Sequence, residues 1–145
     1  MSPRARNRPP TNLVPLEAFL IGAWISLTLT AWLARRDLGR GAAALESPFA
    51  FHVGCAEALL GSFVVLLALR RRAHGLSLLL PFAALAIALA FVLIIHPETA
   101  RMLRADHAEG VAAYRLTSYA LDLAKVVVLF LAFTSILRRH KVTST

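Results

Sequence analysis

Four long apolar runs limit what this 145-residue chain can fold into. They cover residues 13–34, 49–69, 76–95 and 116–137, and basic residues or a His-Pro pair follow each run. Each run has about 20 residues, the length that an α-helix needs to cross a hydrocarbon layer of roughly 30 Å. Backbone polar groups in lipid must be satisfied within the segment, and no alternating strands typical of a barrel are present. The sequence therefore predicts an all-α, integral membrane four-helix bundle.

The composition excludes an ordinary soluble domain. Hydrophobic residues make up 58% of the chain and charged residues 17%, against about 45–50% and about 25% in soluble domains. A chain this small cannot bury so much apolar surface in a water-soluble core. The net charge of +8 comes mainly from arginines that flank the runs. We therefore expect the lipid bilayer as a partner and no nucleic acid.

The apolar runs also divide the chain. Residues 1–12 are basic and contain three prolines, which predicts a disordered segment. The transmembrane domain covers residues 13–138, and residues 139–145 form a tail. The first run is too long for the apolar part of a cleaved signal peptide. Between the third and fourth runs we expect helix beyond the membrane boundary, with Pro97 in a first turn and a break near Gly110.

The distribution of basic residues predicts the orientation. Four spans place residues 1–12, the 70–72 loop and the C-terminal tail on one side, with three Lys or Arg in each, nine in total. Six lie on the opposite side, within residues 35–40 and 101–115. The side with more positive charge faces the cytoplasm. We expect a multi-pass protein of the bacterial inner (plasma) membrane with both termini in the cytoplasm.

Stripes of small residues predict where the helices approach one another, because close packing drives helix association in lipid. The stripes are Ala18, Gly22 and Ser26 in the first span, and Gly54, Ala58 and Gly61 in the second. We expect both stripes to form helix-packing faces. The alternative is that small residues are simply frequent in this chain.

Ionisable residues within the spans are costly in lipid and are usually functional or paired. Glu17 lies at the start of its span, where an interfacial charge near a helix N-terminus is expected. Glu57 lies eight residues into the second span, and Asp122 and Lys125 lie three residues apart in the fourth. The second and fourth spans begin on the same side, so these three groups have similar depth. They predict an intramembrane polar network. The alternative is a local Asp122–Lys125 pair with Glu57 apart from it.

Histidines and the single cysteine form a second candidate site. His52, Cys55, His96 and His107 lie towards the same predicted face, and the first two share a helix side. They could ligate a metal or a haem, but their spacing matches no ligand motif, so no cofactor is expected. The chain also lacks the short motifs of metalloproteases, serine hydrolases and nucleotide-binding enzymes. We therefore expect no catalytic residues and a protein that is not an enzyme.

Four short segments resemble the transmembrane protein 205 family. They are GAW at residues 22–24, LESPFAFHVGCA at 45–56, PET at 97–99 and YRL at 114–116. The last departs from the family's aromatic-arginine-histidine pattern. The resemblance covers most of residues 15–137 and implies a four-span membrane bundle, a bacterial domain of unknown function with no established reaction. A weaker resemblance to the membrane domain of copper-resistance D proteins implies metal handling.

Three functions are consistent with these observations. The first is a non-catalytic accessory or stress-related membrane factor that acts through helix–helix contacts with a membrane protein partner or a second copy. The second is a component of ion- or proton-coupled transport that uses Glu57, Asp122 and Lys125. The third is a metal- or haem-handling membrane protein that uses His52 and His96 with Cys55.

The charge asymmetry makes the orientation testable. A reporter enzyme that is active only in the cytoplasm should be active when it is fused after Thr145, because the side with more basic residues is retained there. A reporter fused within residues 39–47 should give the opposite result. A periplasmic signal from the C-terminal fusion would reverse the orientation.

Overall fold

The computed structural model describes residues 13–38, 48–105 and 108–143, and within these ranges the chain is helical apart from short turns. The helices are α1 (Leu13–Leu38), α2 (Pro48–Arg70), α3 (Leu76–Ala90), a π-helical segment (Phe91–Ile95), α4 (His96–Arg104) and α5 (Ala108–Thr143). Four segments are long and apolar enough to cross a membrane: Leu13–Ala34, Phe49–Arg70, Leu76–Arg104 and Glu109–Arg138. The predicted all-α, four-helix membrane bundle is confirmed.

The four membrane-spanning segments are arranged around a common centre. Both α1 and α3 pack against α2 and against α5. The helices α1 and α3 therefore occupy opposite corners of the bundle, and α2 and α5 occupy the other two. A short segment after Arg70 joins α2 to α3, and Gly75 in this segment has a φ of 62°, a value that glycine adopts without strain.

The third membrane-spanning segment, Leu76–Arg104, continues through His96 and Pro97, where the apolar run of the sequence ends. The helix α4 extends to Arg104 with Pro97 in its first turn, as the sequence predicted. Because proline has no N–H and its ring clashes with the carbonyl four residues before it, a wider turn is favoured just ahead of it. The π-helical segment supplies this turn, and its end is marked by a bond from the His96 N–H to the Phe91 carbonyl. The expected break near Gly110 is wrong, because α5 begins at Ala108 and Gly110 lies inside it.

Two glycines of α2 lie in close contact with side chains of neighbouring helices. A Cβ placed on Gly54 would lie 2.8 Å from Val92 Cγ2, and one on Gly61 would lie 2.8 Å from Trp24 Cζ2. Both separations are below normal van der Waals contact, so only glycine fits at these two positions. Ala58, between them in sequence, is half-buried.

Beyond Ala18, the expected packing stripe of α1 does not coincide with the face that α1 buries within the bundle. A Cβ on Gly22 would meet nothing within 4 Å, and Ser26 is exposed and donates to the Gly22 carbonyl of its own helix. The buried face of α1 instead carries Ile21, Trp24, Thr28 and Ala31 after Ala18. Its bulkiest member, Trp24, is fully buried against Gly61. The indole of Trp24 therefore occupies the space that the absent side chain of Gly61 leaves, whereas Gly22 and Ser26 lie outside this contact.

The bundle interior is divided into an apolar half and a polar half. The apolar core lies towards the α2–α3 connection and comprises Ala18, Ile21, Trp24, Val64, Ala84, Ala88, Leu129, Ala132 and Ile136. Among the described residues, six of the eight buried polar or charged ones lie in the other half: Thr28, Glu57, Thr99, Ser118, Asp122 and Lys125. The other two, Glu17 and Ser77, lie beside the apolar core, near the starts of α1 and α3. Since buried polar groups destabilise a membrane bundle unless they are paired, the polar half is where a function is expected.

The contact between Trp24 and Gly61 predicts an asymmetric effect of adding one methyl group. Gly61→Ala should lower the free energy of unfolding in detergent by about 1–3 kcal/mol, the usual cost of overpacking. Gly22→Ala is the matched control and should be neutral or stabilising, because its Cβ meets open space and alanine favours helix. Thermal unfolding followed by circular dichroism measures both. Equal destabilisation by the two variants would contradict this packing.

Candidate functional site: the Glu57 network

The polar half of the bundle is organised around Glu57. This side chain is on α2, between the two glycines at which α2 approaches its neighbours, and the residue is 2% exposed. Its spacing from Gly54 and Gly61 puts it on their side of the helix, and the structure turns that side towards the bundle interior. Its carboxylate contacts side chains from α1 and α5. Glu57 and its partners Thr28, Asp122 and Lys125 are hereafter called the Glu57 network.

Lys125 joins the two acidic groups of the network. Its Nζ donates to Glu57 Oε2 at 2.5 Å and lies 3.3 Å from Asp122 Oδ1. None of the three side chains is more than 4% exposed. Because α2 and α5 occupy opposite corners, the lysine side chain crosses the centre of the bundle. The structure thus brings together the three ionisable residues that their shared depth had predicted to meet.

Thr28 is the member of the network that sequence reasoning missed. Its hydroxyl is 2.6 Å from Glu57 Oε1 and 3.0 Å from the Trp24 carbonyl oxygen. A hydroxyl has one proton, so Thr28 donates to one of these acceptors at a time. The sequence carries a signal for this residue, since Thr28 lies one helical turn after Trp24 and shares its buried face.

The network lies well inside the apolar layer. Glu57 is eight residues after Phe49, where its span begins, and Thr28 is six residues before Ala34, where its span ends. At 1.5 Å per residue these positions are about 12 Å and about 9 Å along the helix axes. Taken by themselves, the two carboxylates and one ammonium have a formal charge of −1. Such a cluster is stable at this depth only because each charge has a close partner.

A cavity of about 590 Å³ extends from the network towards the bundle surface, between α1 and α5. Thr28 and Asp122 lie in its wall together with aromatic and aliphatic side chains, among them Trp32, Tyr119 and Leu123. Leu123 is 67% exposed, so the cavity reaches the outer surface that hydrocarbon covers in a membrane. Asp122 itself is 3% exposed, so the part of the cavity that is open at this surface is bordered mainly by apolar side chains.

A second buried ion pair lies at the other end of the bundle and corrects the expectation for Glu17. The Glu17 side chain is fully buried, and its Oε2 lies 2.9 Å from Arg71 Nε. Arg71 also donates from Nη2 to Oε1 at 3.3 Å. The start of α1 and the end of α2 lie on the same side of the bundle, so this arginine turns inward to the acid. Glu17 is therefore a paired interior group that joins α1 to the segment between α2 and α3.

The candidate metal ligands do not converge within the part of the chain that the structure describes. In those residues no group of three or more His, Cys, Asp or Glu is placed to hold a metal ion. His52 is exposed on α2, Cys55 is half-buried, and the ring of His96 packs at 5.1 Å from that of Phe51. His107 lies outside the described residues. The contact of His96 with Phe51 joins α2 to the start of α4.

Comparisons with known proteins add no identification: no family model, no curated protein and no solved structure matches this chain. The resemblance to the transmembrane protein 205 family therefore stays a prediction. The Glu57 network and the cavity beside it are the features of the chain that bear on its function.

The network predicts how its members depend on one another. Lys125→Met should destabilise the protein by about 3–5 kcal/mol, because it leaves two buried carboxylates without their shared cation. Glu57→Gln/Lys125→Met should recover much of this loss, since Asp122 is then the sole remaining charge of the three. Thermal unfolding of the two single variants and the double variant gives the coupling. Strictly additive losses would mean that the two residues do not interact.

Proposed function

We propose that this integral membrane protein is a non-catalytic component of proton- or cation-coupled transport. In this proposal the chain lies in the bacterial inner membrane with both termini in the cytoplasm, and the Glu57 network is the ion-binding element. The supporting observation is that Glu57 has suitable hydrogen-bond partners both with and without a proton. Four spans are few for a transport pathway, so the proposal includes assembly with a second copy or with another membrane protein.

The hydrogen bonds of Thr28 supply the physical basis for this proposal. When Glu57 is a carboxylate, Thr28 donates to Glu57 Oε1 at 2.6 Å. When Glu57 carries a proton at Oε1, it donates to the Thr28 oxygen, and the hydroxyl turns to the Trp24 carbonyl at 3.0 Å. A buried polar group is costly unless it is hydrogen-bonded. Thr28 therefore offers Glu57 Oε1 a hydrogen-bond partner in both states.

Lys125 and Asp122 complete the exchange site. Lys125 lies closer to Glu57 than to Asp122, at 2.5 and 3.3 Å respectively. When Glu57 is neutralised by a proton, the ammonium can shift towards Asp122 and remain paired. Proton uptake at Glu57 thus moves the Lys125 ammonium towards Asp122. Because Asp122 lines the cavity, the protonation of Glu57 is coupled to the ion pairing of a residue in the cavity wall. Intramembrane acids paired in this way are typical of proton and ion pathways.

The second candidate is the accessory factor that acts through helix contacts, with the Glu57 network as an internal clamp. The observation that favours it is that the network connects three helices, α1 through Thr28, α2 through Glu57 and α5 through Lys125. A clamp stabilises the bundle and exchanges no ion. The two candidates therefore differ in whether loss of the Glu57 carboxylate changes ion flux in a folded protein.

Proton flux in proteoliposomes tests the transport proposal. Vesicles that contain the purified protein and an internal pH dye are given an inside-negative potassium diffusion potential. Wild-type protein should acidify the lumen faster than empty vesicles do, and Glu57→Gln should slow the protein-dependent rate by at least tenfold. This variant keeps a side chain of the same shape and can accept the Thr28 bond.

Glu98→Gln is the control for this measurement, because Glu98 pairs with Arg101 on the surface of α4 and lies outside the network. It should leave the flux at the wild-type rate. Size-exclusion profiles and unfolding curves establish that each variant is folded. Wild-type flux no greater than that of empty vesicles, or equal flux in folded wild-type and Glu57→Gln proteins, would reject the transport proposal and favour the clamp.

A further inference from the structure

We infer that a groove between α3 and α5 is a binding site for the headgroup of an anionic phospholipid, with Arg138 as the residue that contacts its phosphate. The groove has a volume of about 390 Å³ and lies at the end of the bundle where α2 joins α3. Three leucines and three polar residues line it: Leu76, Leu80, Leu131, Thr134, Ser135 and Arg138. The inference goes beyond the proposed function and does not depend on it, because no member of the Glu57 network lines this groove.

The depth of the groove in the membrane is that of a lipid headgroup. Leu76 is the first residue of the third membrane-spanning segment, and Arg138 is the last residue of the fourth. The groove therefore lies at the border of the apolar layer, where the phosphates of the surrounding lipids begin. Leu131 lies two helical turns farther into the layer than Arg138 and is 50% exposed. A lipid in the groove thus has an apolar wall for its acyl chains next to a basic group for its phosphate.

The charge of Arg138 is open to a ligand. Its side chain is exposed and forms no ion pair or hydrogen bond within the part of the chain that the structure describes. A guanidinium binds phosphate oxygens through two parallel N–H donors, and these charge-assisted hydrogen bonds are stronger than neutral ones. Arg138 therefore has both the reach and the chemistry to hold a phosphate at the edge of the apolar layer.

Two further groups in the groove favour an anion. Ser135 lies one helical turn before Arg138, and its hydroxyl forms no hydrogen bond with the described residues, so its proton can be donated to a phosphate oxygen. Leu76 begins α3 after Gly75, where no side chain caps the helix, and no acidic residue occupies the first turn. The N-terminus of a helix carries a partial positive charge. A guanidinium, a hydroxyl and this helix end thus border one groove.

The surrounding charges favour an anionic lipid over a zwitterionic one. Glu17 is the acidic residue at this end of the described structure, and Arg71 already pairs with it. Arg70 and Arg72 are exposed at the same end and form no ion pair with the described residues. A zwitterionic headgroup would bring its own cation towards these arginines, whereas an anionic headgroup brings none. Basic pockets between membrane helices are typical sites for anionic headgroups.

Native mass spectrometry of the full-length protein in a neutral detergent tests this inference, because it resolves the protein with and without one bound lipid. Wild-type protein should bind dioleoylphosphatidylglycerol at least tenfold more tightly than dioleoylphosphatidylcholine. The two lipids share their acyl chains and phosphate and differ in net charge. Equal affinity for both would overturn the inference.

Glycerol 3-phosphate distinguishes a lipid from a free phosphate, because it has the charged group without the acyl chains. It should not displace phosphatidylglycerol when the two are present at equal concentration. Displacement would assign the groove to a soluble phosphate and reject the lipid as its occupant.

Two arginine variants locate the site. Arg138→Gln should weaken phosphatidylglycerol binding at least fivefold and reduce the preference over phosphatidylcholine. Arg104→Gln is the matched control and should bind like wild type, because Arg104 is also exposed but ends the third membrane-spanning segment at the opposite end of the bundle. Equal affinity of the two variants for phosphatidylglycerol would contradict the assignment of the phosphate to Arg138.

A second pair of variants tests the apolar wall. Leu131 lines the groove, and Phe130 is exposed beside it in sequence without lining it. Leu131→Trp should fill the groove and weaken phosphatidylglycerol binding at least fivefold, whereas Phe130→Trp should leave binding unchanged. Both positions are exposed, and circular dichroism establishes that the variants are folded. The same affinity in both tryptophan variants would show that the lipid does not occupy this groove.

Discussion

The ion pair between Lys125 and Glu57 across the centre of the bundle is the interaction on which the rest of the structure depends. Either charge alone would be strongly destabilising at this depth in a membrane. Their pairing requires α2 and α5, which occupy opposite corners, to turn these side chains towards each other. The hydrogen bond from Thr28 then draws the corresponding face of α1 inward. Two buried contacts on Glu57 thus constrain the rotations of three helices about their axes.

The packing of α1 against α2 is consistent with this constraint. Thr28 contacts Glu57, and one helical turn away Trp24 contacts Gly61. Because the two helices are antiparallel, both contacts belong to a single register, one polar and one apolar. A shift of one turn would place the indole of Trp24 against a carboxylate and leave the network without its hydroxyl. The close fit at Gly61 thus maintains the position of Glu57. The ion pair of Glu17 with Arg71 joins the start of α1 to the segment that follows α2.

Particular residues show how far sequence reasoning reached. The meeting of Glu57, Asp122 and Lys125 could be predicted, because charges at equal depth in lipid have few partners other than one another. The pairing of Glu17 with Arg71 was not predicted, although the same reasoning about depth applies to it. Arginines that flank a span are ordinarily assigned to lipid headgroups, so Arg71 was not considered as a partner for Glu17. Gly22 and Ser26 of α1 have the spacing of a packing face, but spacing does not determine which side of a helix faces the bundle interior. The structure buries a different side of α1, the one that carries Trp24 and Thr28.

The amino-acid pattern alone establishes the class of this protein, since the thickness of a bilayer requires apolar runs of a certain length and lipid requires that they be helical. It also establishes which residues are too polar to face lipid. The tertiary structure decides which of them meet, because the rotation and neighbours of each helix depend on contacts between segments distant in sequence. It alone places Thr28 between Glu57 and the Trp24 carbonyl, and it alone opens a cavity beside Asp122.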